Sequence, residues 1–222
     1  MTDRRKKRVM EEISARLEKK YPDALCALEY GGDPWRLLVM AILSAQCTDA
    51  RVNAVCEVLF GKFPDAVSLA KGDISEIEDI IKSCGLYHTK AKNIKASSAR
   101  LAYEYGGIIP REMADLLKFP GVGRKVANLI RGDVYGLPGV VTDTHFIRIC
   151  GRFGMYDTEL KNPLRIEKIM TPLIKPEEHS DFCHRIVLFG REICTARAPQ
   201  CDVCFLSDIC AYGIKKLADG KK

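Results

Sequence analysis

Apolar residues recur at intervals of three and four along most of the chain. The pattern is plain in "VMEEISARLEKKY" (9–21), "WRLLVMAILSAQ" (35–46), "RVNAVCEVLFGKF" (51–63), "ISEIEDIIKSC" (74–84), "KAKNIKASSARLAYEY" (90–105) and "EMADLLKF" (112–119), and each reads as an amphipathic helix. A further helix is expected from Arg124 to Tyr135, and another after Asp143. No stretch alternates convincingly with the period of a strand. The punctuation agrees: Asp33-Pro34 and Thr48-Asp49 suit helix entries, while Gly61, Gly85, Gly106-Gly107 and Gly121 suit helix ends. The expected fold is all-α with short loops.

With 222 residues, 47% of them hydrophobic, the chain can bury the core of one compact unit or two small lobes without covalent staples. Its longest apolar run, Leu37 to Leu43, is far short of the ~20 residues of a membrane span, and no signal-peptide pattern precedes it. A soluble cytoplasmic protein with no membrane association is expected. The formal charge of +6 favours an anionic partner such as nucleic acid, although charge alone is a weak guide. The basic run Arg4 to Arg8 reads as a solvated tail.

Ten cysteines in such a chain argue against a disulfide scaffold and for a metal or redox site where they cluster. Cys26, Cys47, Cys56, Cys84, Cys150 and Cys183 are scattered among apolar neighbours and read as small buried hydrophobes. Cys194, Cys201, Cys204 and Cys210 are separated by six, two and five residues. Four thiolates so close in sequence can surround either a tetrahedral zinc or a [4Fe-4S] cluster, and their chemistry leaves both open.

The stretch "LKFPGVGRKVANLI" (117–130) places Gly121 and Gly123 on either side of Val122 in front of a helix. Glycines allow dihedrals that side chains forbid and leave the amides at a helix N-terminus bare, so the turn can hold a phosphate, with Arg124 and Lys118 adding charge. An ordinary helical hairpin with a glycine cap would need only one glycine. Lys125 falls in the first turn of the helix, where the dipole and the neighbouring cations disfavour its charged form and ready the amine for attack on a sugar C1′. It could instead pair with phosphate. A helix from Arg124 to Tyr135 runs ~18 Å, and the extended "VVT" after the turn at 136–139 can bring Asp143 back beside Lys125. Asp143 is also a natural N-cap, and the sequence leaves capping and catalysis evenly balanced.

Five segments in order, "LSAQCTDARVN" (43–53), "GLYHTKAKNI" (85–94), "FPGVGRKVAN" (119–128), "TDTHFIRI" (142–149) and the four-cysteine loop, resemble the endonuclease III family of DNA glycosylases. This is the helix-hairpin-helix superfamily with an iron-sulfur cluster. The resemblance implies a base-excision-repair glycosylase with AP lyase activity that removes oxidised pyrimidines. Lys125 would attack C1′ of the flipped nucleotide and form a Schiff base, and β-elimination would cut the strand 3′ to the abasic site. Asp143 would assist departure of the base and shuttle protons. By the same resemblance Gln46 fills the vacated space, Leu86 wedges into the stack, and Gly121, Val122, Gly123 and Arg124 grip phosphate. His145 would orient Asp143 or touch phosphate, and Arg197 would approach the backbone.

The family spacing moves the cysteine set to a [4Fe-4S] cluster that organises a loop and takes no part in the sugar chemistry. Two lobes are implied, a six-helix barrel over residues 27–137 and a cluster lobe made of 1–26 with 138–222, with a DNA-binding cleft between them. The partner would be double-stranded DNA containing a damaged base or abasic site, bound by a monomer in a prokaryotic, nucleoid-associated setting. The alternatives are a glycosylase of the same superfamily acting on T/G or U/G mismatches or alkylated bases, and a non-catalytic iron-sulfur DNA-binding protein or electron carrier. A pure binder has no use for Lys125.

Overall fold

The computed structural model describes residues 2–219; the outermost positions assigned to the cluster lobe, 1 and 220–222, lie outside the described residues. The described residues form helices and turns with no strand, as the periodicity predicts. The chain divides into two compact units, one from Cys26 to Tyr135 and the other built from the segments on either side of it.

Helix α1 (Asp3–Lys20) opens the chain. The basic run at 4–8 is therefore not a solvated tail: it forms the first turns of α1, with all but Lys6 exposed, while Met10, Ile13 and Leu17 face inward. The middle unit holds α2 (Pro34–Leu43), α3 (Asp49–Lys62), α4 (Ala66–Lys71), α5 (Ile74–Ile81), α6 (Tyr87–Glu104), α7 (Met113–Leu116) and α8 (Arg124–Tyr135). The last four helices are α9 (Thr144–Arg152), α10 (Pro163–Met170), α11 (His179–Glu192) and α12 (Ala211–Asp219).

In the middle unit α2 is the central element. Asp33 caps it, its carboxylate accepting from the Trp35 amide at 2.9 Å and the Arg36 amide at 3.4 Å, and Pro34 supplies a first position that needs no donor. Every residue from Leu37 to Leu43 is buried, as expected of a helix apolar on all sides. It packs against α3, α6 and α8. The long α6 also covers α4 and α5. Inside this core the Trp35 indole nitrogen donates to Ser98 Oγ at 2.9 Å, a polar tie between α2 and α6.

In the other unit α11 packs on both α1 and α9. The crossing with α9 requires Gly190, because a methyl there would lie 2.5 Å from His145 Nδ1 and 2.8 Å from Ile149 Cδ1. Phe146 meets Phe182 edge-on and Phe153 stacks on Phe189, with centroids 6.0 and 6.2 Å apart.

Three helix ends differ from the periodic reading. Gly61 lies inside α3, α5 passes into a 3-10 turn at Lys82–Cys84, and α2 stops at Leu43, three residues before Gln46. The last difference has a local cause: Gln46 has a φ of 53°, a left-handed conformation that no α-helix accommodates.

Ser98→Ala removes the acceptor from a buried indole N–H. The expected loss is about 1–3 kcal/mol of stability, measured by urea unfolding. An unchanged midpoint would show that the tie contributes nothing.

Candidate active site and metal centre

The turn between α7 and α8 is held by its neighbours before it can hold anything else. Gly121 has a φ of +82°, and a methyl there would meet Ile42 Cγ2 at 2.9 Å and Asn93 Nδ2 at 3.0 Å, so its glycine is demanded by both backbone and space. Ser97 Oγ on α6 donates to the Pro120 carbonyl at 2.8 Å, and Arg100 donates to the Lys118 carbonyl. Val122 is buried and its amide bonds back to Phe119 at 3.0 Å. Gly123 accepts the first helical bond, from Ala127, at 2.9 Å.

Gly123 differs from Gly121. Its φ is not in the left-handed region and a methyl would meet nothing within 4 Å. No neighbouring atom requires a glycine there, whereas a ligand approaching the backbone closely would. Arg124 and Lys125 open α8 on the exposed side of this turn. Among the described residues no hydrogen bond or ion pair occupies the Lys125 amine. Lys118, by contrast, pairs with Asp115 at 2.7 Å, which raises its affinity for the proton.

Gln46 and Leu86 are the two residues other than glycine with positive φ among the described residues, at 53° and 51°. Each such residue costs on the order of 1–3 kcal/mol. Both side chains are exposed, Leu86 at 60%. Leu86 also stands at the N-cap of α6 with no side-chain bond, where a short polar residue would be favoured. A leucine that is strained, exposed and a poor cap serves neither the core nor the helix. The carbonyl of Cys84, two residues earlier, accepts from the buried Lys90 Nζ at 2.9 Å, which anchors this loop.

In the other unit Asp143 caps α9: its Oδ1 accepts from the Phe146 amide at 2.7 Å. The carboxylate is half-buried, and the cap engages only one of its oxygens. His145 is turned toward α11, with Nδ1 3.2 Å from Arg148 Nη2 and its ring against Gly190.

Cys194, Cys201, Cys204 and Cys210 line one cavity with the apolar side chains of Phe153, Phe189 and Leu206. Three of the cysteines are buried and Cys204 is half-buried. Burial pushes the Cys204 thiol up to about 11, with the neighbouring cysteines adding to the shift, and the Cys210 thiol moves the same way. Arg152 Nη1 lies 3.3 Å from Cys194 Sγ, and the Gly213 amide 3.5 Å from Cys210 Sγ. Four soft ligands around a dry cavity, with donors aimed at two sulfurs, suit a thiolate-ligated metal centre.

Arg148 and Arg152, one turn apart on α9, hold the loop that follows α11. Arg148 donates to the Cys194 carbonyl at 3.0 Å, and Arg152 to those of Thr195 and Ala196 at 2.7 and 2.8 Å. Arg197 projects exposed from the same loop. Sequence reasoning did not single out these two arginines, nor Ser97 and Lys90, whose partners lie far away in the chain or act through backbone carbonyls.

Comparison with known proteins bears on both sites. The family described as HhH-GPD superfamily base excision DNA repair protein matches residues 39–176. The family described as iron-sulfur binding domain of endonuclease III matches residues 194–210, beginning and ending on the first and last cysteines of the set. An endonuclease III of Synechocystis is 44% identical over 206 residues, covering 92% of this chain and 93% of its own. Two solved structures, an endonuclease III in a non-covalent complex with DNA and one in a trapped covalent intermediate with DNA, superpose with TM-scores of 0.89 and 0.88 at 38% identity. They cover 96% and 95% of this chain and 98% of each of theirs. The cofactor is a [4Fe-4S] cluster. The chain belongs to the HhH-GPD superfamily of base excision DNA repair proteins and, within it, to the endonuclease III family.

Proposed function

We propose that the protein is a bifunctional DNA glycosylase and AP lyase whose nucleophile is Lys125 and whose substrates are oxidised pyrimidines in duplex DNA. The observation that carries this reading is the exposed, unpaired amine of Lys125, two residues after a glycine that the fold itself does not need. The turn at 121–124 takes a phosphate at the positive end of α8, where its glycines let the strand approach the backbone, fixing the register of the strand without reading a base. Gln46 enters the space left by the flipped nucleotide and Leu86 wedges into the stack; their left-handed backbones support these roles.

The Lys125 nitrogen bonds to C1′ as the glycosidic bond breaks and the base departs. Loss of a proton from nitrogen and opening of the sugar give the Schiff base, and removal of a C2′ proton then expels the 3′ phosphate. Asp143 acts in these steps through the carboxylate oxygen that the cap does not use, first as a negative charge beside the developing cation and then as a proton carrier. Capping and catalysis are compatible in one residue.

Cys194, Cys201, Cys204 and Cys210 hold the cluster, which supplies a structural centre for the loop carrying Arg197. That arginine adds a contact to the DNA backbone, and His145 contributes by orienting the segment around Asp143. The barrel at 27–137 carries the lysine and the cluster lobe, 1–26 with 138–222, carries the aspartate. The enzyme works as a monomer on damaged duplex in the cytoplasm of a prokaryote, at the nucleoid. No helix among the described residues is long and apolar enough to cross a membrane.

Lys125→Gln is expected to abolish nicking of a duplex containing thymine glycol while leaving duplex binding largely intact; nicking at the wild-type rate would exclude Lys125. Asp143→Asn keeps a good cap and removes the charge. It should slow base release by about 10²-fold with far less effect on binding, and equal losses in both would contradict its role. The two glycines should separate in a pair of assays. Gly121→Ala should lower stability by about 1–3 kcal/mol, whereas Gly123→Ala should leave thermal unfolding nearly unchanged and weaken binding to all duplexes alike. A loss confined to one lesion would contradict phosphate gripping.

A further inference from the structure

Two of the cysteines outside the cluster set occupy the two strained loops. Cys47 directly follows Gln46, and Cys84 lies two residues before Leu86. The helix that begins at Asp49, α3, packs against the 3-10 turn that ends at Cys84, which brings the two loops together. Cys84 belongs to the core of this unit and Cys47 packs against that core, close enough for the two thiols to influence each other. Cys47 is half-buried and open to a small reagent, while Cys84 is 3% exposed and Cys56, which is near both, is 1% exposed. Burial and the nearby Cys47 push the Cys84 thiol up to about 11, and burial pushes the Cys56 thiol to about 12, so neither is the sulfur that meets peroxide first.

We propose that Cys47 and Cys84 are a modification site, a thiol pair that closes into a disulfide under hydrogen peroxide and ties the Gln46 loop to the Leu86 loop. Cys47 is the attacking sulfur. Its thiolate takes one oxygen, the O–O bond breaks, and the leaving hydroxide is protonated to water. The Cys84 sulfur then attacks the sulfenic sulfur; the S–S bond forms, the S–O bond breaks, and hydroxide leaves with the Cys84 proton as a second water. Two thiols and one peroxide give one disulfide and two waters, and a thiol reductant reverses the change.

The functional consequence rests on the DNA-inserting roles proposed above for Gln46 and Leu86. A disulfide holds its sulfurs about 2 Å apart, well inside the contact distance of two unbonded thiols, so closure draws the two loops together by on the order of 1 Å. Misplacement on that scale can cost ~10²-fold in rate. The oxidised enzyme is therefore expected to lose incision of damaged duplex while its fold and cluster remain.

The holoprotein would be treated with limiting hydrogen peroxide while the visible absorbance of the cluster is followed. Free thiols would then be blocked with N-ethylmaleimide and the digest mapped by mass spectrometry. A linked peptide joining Cys47 to Cys84, a fall in incision reversed by dithiothreitol, and resistance of both Cys47→Ala and Cys84→Ala to that fall are expected. Alkylation of Cys47 and Cys84 at full yield after peroxide, or a link from Cys47 to Cys56 instead, would overturn the site. A linked peptide with unchanged incision, or equal loss in the two variants, would overturn its consequence. The mapping requires no enzymatic activity, so failure of the glycosylase reading and failure of the cross-link are told apart.

Discussion

The turn at 119–123 is the constraint on which the active-site account depends. Gly121 is pressed against Ile42 and Asn93 and must take a left-handed backbone, while Ser97 and Arg100 of α6 fasten the carbonyls on either side. The turn is rigid because the core behind it is rigid: α2, buried on every side, supports both α6 and α8. That support lets α8 start abruptly at Arg124, presenting a dipole end and a lysine to the same exposed face. A looser turn would leave the amine and the phosphate site uncoordinated.

Local rules are broken in this unit at Gln46 and Leu86, the two residues proposed to enter the duplex. An exposed leucine at a helix N-cap with positive φ, and a glutamine with the same backbone just after the central helix, cost stability and return no packing. The protein tolerates them because α3, α5 and the buried Lys90 hold the loops that carry them. In the other unit the equivalent effort goes into a loop: two arginines of α9 donate to three carbonyls and one sulfur around Cys194. The charges of Arg148 and Arg152 thus serve the loop's geometry, and Arg197 is left to project from it.

Much of this was legible in the amino-acid order. The helical class followed from apolar spacing, the entries at Asp33 and Thr48 from capping chemistry, and the glycine turn with its lysine from the need for bare amides at a helix start. Other features could not be read, for physical reasons. The early end of α2 depends on one dihedral at Gln46, which an apolar pattern does not encode. The basic run at 4–8 joined a helix because Met10, Ile13 and Leu17 anchor the turns after it. Gly121 and Gly123 look alike as letters and differ in backbone conformation and in what surrounds them. The approach of the Cys47 loop to the Cys84 loop depends on α3 packing against a 3-10 turn, a tertiary fact with no local signal.

In the proposed reaction one amine, that of Lys125, bonds to the deoxyribose. The most direct measurement is reduction of the enzyme with borohydride on a lesion-containing duplex, followed by digestion and mass mapping of the sugar-bearing peptide. The account predicts a single adduct on the peptide containing Lys125. An adduct on another lysine or on the N-terminal amine, with Lys125 unmodified, would contradict it.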